Sequence, residues 1–236
     1  MTLRYALAAA ALALSLPVLP AAAQDFCGVE LVLAMDVSRS VSTAEYRLQM
    51  DGLADAFRDE EVRSAVRATA GGVMATVMIW GDQRQQKQTT PWSLLTDDAS
   101  MDVFANSIAY TRRTFGFTLT GLGAAMLYAE RLGSTNPMTC RRRVIDVSGD
   151  GVWNDGPRPA DIWATLPPDL TINGLVILGA TPDPLAYYQE EVIGGPGSFV
   201  EVAETFEDYA EAIRFKLLRE LAPSLSMIPD TGTAVK

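Results

Sequence analysis

Three short segments of the chain carry oxygen donors in patterns that suit a cation. Asp36-Val37-Ser38-Arg39-Ser40 sets a carboxylate and two hydroxyls at alternate positions, Thr118-Leu119-Thr120-Gly121 offers further hydroxyls, and Ser148-Gly149-Asp150-Gly151 brings a second carboxylate. Each string alone is weak, because Asp and Ser also make ordinary caps and turns. The rest of the composition narrows the chemistry. Histidine is absent, which removes Ser-His-Asp and Cys-His catalysis and the usual imidazole base. With only 2 cysteines, a tetrahedral nitrogen and sulfur zinc site cannot be completed. A bound metal must therefore be held by oxygen, which selects a hard divalent ion such as Mg²⁺, Mn²⁺ or Ca²⁺. The net charge of -10 repels phosphate backbones and argues against nucleic acid as a partner.

The elements that must position these segments follow from patterning. Val29 to Met35 is a nearly continuous apolar run ending at Asp36, the mark of a strand buried on both faces. Ser42 with Glu45 forms a capping box that opens a helix reaching Phe57, and a second short helix is expected over 60–68. Val73 to Trp80 reads as a strand, and 88–94 as its hairpin partner, with Pro91 marking an edge. Helices are expected over 100–110 and 120–132, a strand over 143–148 and a short helix over 159–166. A strand over 171–178, a weak helix over 185–193, a strand over 198–202 and an amphipathic helix over 205–221 complete the pattern. This alternation predicts a doubly wound α/β fold: a mostly parallel central sheet of about six strands, one of them an antiparallel edge, flanked by helices. At 236 residues, with 48% hydrophobic, the chain has material for one principal core. In such sheets ligands gather at the carboxyl ends of the strands, where all three donor segments are expected.

In order and spacing these segments resemble the von Willebrand factor A domain and its metal-ion-dependent adhesion site, most closely an exported bacterial branch of that family. The resemblance covers about 26–221. It implies Asp36, Ser38, Ser40, Thr118 and Asp150 as metal-site residues, with Thr118 preferred over Thr120 by spacing. The aspartates would act directly or through water. Gly149 stands where the family usually has threonine. Asp36 and Asp150 together balance a doubly charged ion, Mg²⁺ before Mn²⁺ or Ca²⁺, and the hydroxyls add donors without charge. The function implied is a non-enzymatic interaction module in which a partner protein's Asp or Glu carboxylate completes the ion's shell. Trp153, Asn154 and Asp155 follow Asp150 and are candidates for the ligand rim. The family's sheet order sets the first and fourth strands side by side, which brings Cys27 and Cys140 to the same far end and implies a disulfide between them.

Arg4, the apolar run Ala6 to Val18 and Ala21-Ala22-Ala23 read as a cleavable signal peptide over 1–23, so a periplasmic or secreted product without membrane insertion is expected. The tail 222–236 is expected to be flexible. Arg141-Arg142-Arg143 is expected to be a solvated strand edge, and Glu204, Glu207, Asp208 and Glu211 a solvated helix face. One alternative function is a Mg²⁺-dependent phosphohydrolase of the haloacid dehalogenase type, which also places an aspartate after a first strand. That chemistry needs a second aspartate two residues later, where this chain has Ser38, and a cap domain that the sequence lacks. Another is a structural subunit whose metal only staples loops.

Overall fold

The computed structural model describes residues 26–116 and 118–222. The expected signal peptide over 1–23, and the expected tail beyond Ala222, lie outside the described residues.

β1 (Phe26–Asp36) is buried from Cys27 onward, as its unbroken apolar run requires. The Ser42 hydroxyl and the Glu45 carboxylate complete the expected capping box at the start of α1 (Thr43–Ala56). Asp59 caps α2 (Glu60–Ala68) by accepting from the backbone of Glu61 and Val62. β2 (Val73–Trp80) is wholly buried, and β3 (Gln86–Leu95) runs back beside it. Asp97 caps α3 (Asp98–Ala109), and α4 (Leu122–Gly133) starts at Gly121 without a side-chain cap. β4 (Thr139–Gly149) is longer than its apolar centre suggested. Pairing of Thr139, Cys140, Arg142 and Arg143 with β1 carries the strand across the arginine run.

The last third departs further from periodicity. α5 (Pro159–Ile162) is a single turn continued by a 3-10 turn, and β5 (Leu170–Ile177) follows. The weak helix expected over 185–193 is α6 (Pro184–Tyr187) running into a π-helical turn at Tyr188–Val192, which seats the Tyr188 ring in the core. β6 (Val200–Ala203) is short. A 3-10 turn at Phe206–Asp208 then leads into α7 (Tyr209–Leu221).

The sheet order is β3-β2-β1-β4-β5-β6, with β3 antiparallel to β2 and every other neighbouring pair parallel. The connections reverse direction between β1 and β4, so the topological switch point lies between the ends of the strands that carry Asp36 and Asp150. Alternate β1 residues feed the two cores. Leu31, Leu33 and Met35 pack under α1, α3 and α7, whereas Val32 and Ala34 pack under α4 and the Tyr188 segment. At the opposite end, Cys27 pairs with Cys140 in the β1–β4 register, and a disulfide joins them across 4.4 Å between Cα atoms.

Charges on β4 and α7 behave differently from their sequence context. Arg141 is exposed over the Phe26 ring, but Arg142 donates to the Ala222 carbonyl and Arg143 pairs with the buried Glu30, so two of the three arginines are structural and not a solvated edge. Lys216 of α7 is fully buried between Asp146 at 2.9 Å and Glu220 at 2.5 Å, and Asn173 donates to Glu220 at 2.8 Å. Glu204, Glu207, Asp208 and Glu211 are exposed, as expected.

Candidate metal centre

The first site loop is shaped by its own backbone. Leaving β1, the chain turns so that Ser38 N–H donates to Asp36 Oδ1 at 2.6 Å, an Asx-type contact that fixes the carboxylate. Val37 N–H still reaches the Trp80 carbonyl at 2.8 Å, which anchors the loop to β2. The Arg113 guanidinium donates to the carbonyls of Val37, Ser38 and Val41 at 2.7 to 2.9 Å, so a residue from a distant loop clamps this one from outside.

The hydroxyls and carboxylates form one connected set. Ser38 and Ser40 hydroxyls lie 3.2 Å apart, and Ser40 donates to Asp150 Oδ1 at 2.7 Å. Asp150 arrives there because β4 is parallel to β1 with Met35 opposite Ser148. Gly149 is needed at this point: a Cβ would stand 3.0 Å from Asp36 Oδ2 and 2.6 Å from the Tyr188 hydroxyl. The second loop joins through its backbone, since Arg39 N–H donates to the Thr118 carbonyl at 2.9 Å. Thr118 is buried, and its side chain lies against Gly81, where a Cβ would collide with Oγ1. Thr120 N–H instead donates to the Asn154 side-chain oxygen at 2.8 Å. All three segments therefore meet at the carboxyl ends of β1 and β4.

Electrostatics make this meeting costly for the protein alone. Burial first, and the Asp150 carboxylate second, push Asp36 up to about 8; contacts with Ser38 and the Arg113 charge oppose the shift. Asp150 is also raised, by burial and by Glu45, with the Ser40 hydrogen bond opposing. Asp36 Oδ2 and Thr118 Oγ1 are buried with no partner among the described residues. Two acids held close, with an acceptor atom and a hydroxyl left over, fit a divalent cation. No group of three or more Cys, Asp or Glu side chains among the described residues is arranged to hold a metal, so any such ion depends on two carboxylates and neighbouring hydroxyls.

Several contributors carried no signal in the sequence. Gly81, Arg113 and Tyr188 act across long stretches of chain and match no local pattern. The polar groups of Trp153, Asn154 and Asp155, the candidate rim residues, brace the loops. Trp153 Nε1 donates to the Gly156 carbonyl at 3.1 Å, Asn154 pairs with Thr120, and Asp155 accepts from Gln83 N–H at 2.8 Å.

A family model described as a protein of unknown function (DUF1194) matches residues 26–225. Comparison with curated proteins gives no match. Among solved structures, the chain is similar to proximal thread matrix protein 1 from the mussel byssus with a zinc-occupied MIDAS motif, at 14% identity and TM-score 0.57, over 84% of this chain and 48% of that one. It is similar to a von Willebrand factor type A protein from Catenulispora acidiphila at 16% identity and TM-score 0.58, over 82% and 42%. It is also similar to the PilB minor pilin of Streptococcus sanguinis at 12% identity and TM-score 0.59, over 86% and 64%. The chain spans less than two thirds of each of these proteins, and at such identities the likeness is one of fold. The chain belongs to the DUF1194 family, and its architecture is that of a von Willebrand factor A domain.

Proposed function

We propose that this protein is an exported, non-enzymatic interaction module that binds a divalent cation through Asp36, Ser38, Ser40, Thr118 and Asp150 and uses it to capture a carboxylate of a partner protein. The observation that carries the reading is the pair of buried acids with Asp36 Oδ2 and Thr118 Oγ1 left unpartnered between converging loops. Mg²⁺ suits this oxygen set best, with Mn²⁺ and Ca²⁺ as alternatives. When bound, the ion supplies a Lewis-acidic position at which an Asp or Glu side chain replaces water.

The protein residues divide the remaining work. Asp36 and Asp150 balance the ion's charge, and the serine and threonine hydroxyls supply neutral donors, so the bound ion keeps its appetite for an anion from outside. Arg113 and the Asn154 and Asp155 braces hold the loops in place. The zinc-occupied motif of the mussel byssus protein supports metal binding on this fold. A hydroxyl at Ser38 disfavours phosphohydrolase chemistry, which needs an acid there. Among the described residues no helix is long and apolar enough to cross a membrane.

Calorimetric titration of Mg²⁺ and Mn²⁺ into chelator-treated protein tests the reading. One site per chain, lost in Asp36→Ala, is expected. Heat unchanged by that substitution would reject it. For the partner, capture that persists in both EDTA and Asp36→Ala would reject the carboxylate mechanism. Loss of melting temperature on chelation with no change in any interaction would favour a stapling metal instead.

A further inference from the structure

The chain carries a net charge of -10, yet a recess of about 600 Å³ beside the first site loop is lined by two arginines and by no acid. Arg39, Val41, Ser42 and Thr43 form one wall, and Arg113 with Phe115 stands in the other. Arg39 lies between the two serines of the cation loop. Its side chain is exposed and makes no hydrogen bond or ion pair among the described residues. Arg113 is held rigidly by three carbonyls, and its Nε is buried without a partner. Glu45, the acid in the first turn of α1, accepts from Ser42 N–H at 2.6 Å in the capping box. The recess therefore offers one free and one fixed guanidinium next to the cation crevice, against an acidic background.

We infer that this recess receives a second acidic side chain from the same partner segment whose first carboxylate reaches the cation, so the recognised element is a two-acid stretch of chain and not a lone Asp or Glu. The inference rests on the cation reading above. Side chains two apart on an extended segment share a face at about 6.5 Å, and Arg39 is one residue from each serine, so an acid two or three positions from the coordinated one comes within its reach. A guanidinium fork matches a carboxylate in geometry as well as charge. An acidic domain repels an acidic peptide at long range, and arginines beside the contact point offset that repulsion and set the register.

The test uses Mn²⁺-loaded protein at about 0.15 M salt, where charges more than about 8 Å apart are screened. Two blocked pentapeptides, Gly-Asp-Gly-Glu-Gly and Gly-Asp-Gly-Gln-Gly, are titrated while water-proton relaxation reports loss of water from the ion. Mn²⁺ occupancy is measured on every sample. The two-acid peptide is expected to bind roughly two- to fivefold more tightly, as a bidentate arginine contact at an exposed site allows. In Arg39→Gln that preference is expected to fall to about onefold with Mn²⁺ still bound. Equal affinity of the two peptides, a preference that survives Arg39→Gln, or failure of both peptides to reach loaded Mn²⁺ would overturn the inference while leaving the cation site intact. Failure of the unaltered chain to bind Mn²⁺ would instead overturn the cation reading and the inference with it.

Discussion

At the scale of single residues, the candidate site combines donors that local pattern reveals with supports that it hides. Asp36, Ser38 and Ser40 stand out because hydroxyls alternate directly after a buried apolar strand. Gly81, Arg113 and Tyr188 do not, because each meets the site through tertiary contact alone. Gly81 gives the clearest test of such a hidden support. A methyl there would press on Thr118 Oγ1, so Gly81→Ala is expected to weaken Mn²⁺ binding by about tenfold while circular dichroism shows the fold retained. Asp36 tests the electrostatics. Because burial raises it to about 8, its charge opposes folding when no cation is present. Asp36→Asn is therefore expected to raise the melting temperature in EDTA at pH 8 while abolishing cation binding. A lower melting temperature would show that the carboxylate is not destabilising there.

At the scale of elements, type and order were readable wherever one pattern ran long enough. β1, β2, α1 and α7 follow from apolar runs and a capping box, and β3 was recognisable as an edge from Pro91. Boundaries were not. β4 takes in the arginine run because Cys140, Arg142 and Arg143 pair with β1 whatever their side chains, and the Tyr188 turn is π-helical and seats one ring in the core. The larger surprise is inside α7, where Lys216 and Glu220 look like surface residues of an amphipathic helix and are buried against Asp146. Composition could not reveal this, since charge pairing depends on which strand lies beneath. Lys216→Met leaves two acids buried without their cation and is expected to cost about 3–5 kcal/mol by chemical denaturation. Adding Asp146→Asn and Glu220→Gln is expected to recover much of that loss. A cost below about 1 kcal/mol for the single change would show that the triad does not hold α7 to the sheet.

At the scale of the whole molecule, the sheet order brings three sequence-distant loops to one switch point and places the disulfide at the other end, so the site is built by topology. The same convergence gives stability a pH signature. Asp36 is raised to about 8 and Asp146 to about 7, from 3.8, so the folded chain keeps protons that the unfolded chain releases between those values. Stability without metal is therefore expected to fall as pH rises from about 4 to 8. Saturating Mg²⁺ replaces the proton at Asp36 and is expected to flatten that part of the slope, leaving the share due to Asp146. Parallel melting curves with and without Mg²⁺ across this range would contradict the coupling. Whether the separated oxygen donors share one cation is decided by crystals grown in millimolar MnCl₂ with anomalous data. One Mn²⁺ peak is expected, touching Ser38 and Ser40 at about 2.2 Å, with Asp36, Thr118 and Asp150 bound directly or through water. Those side chains splayed apart, with no peak between them, would contradict it.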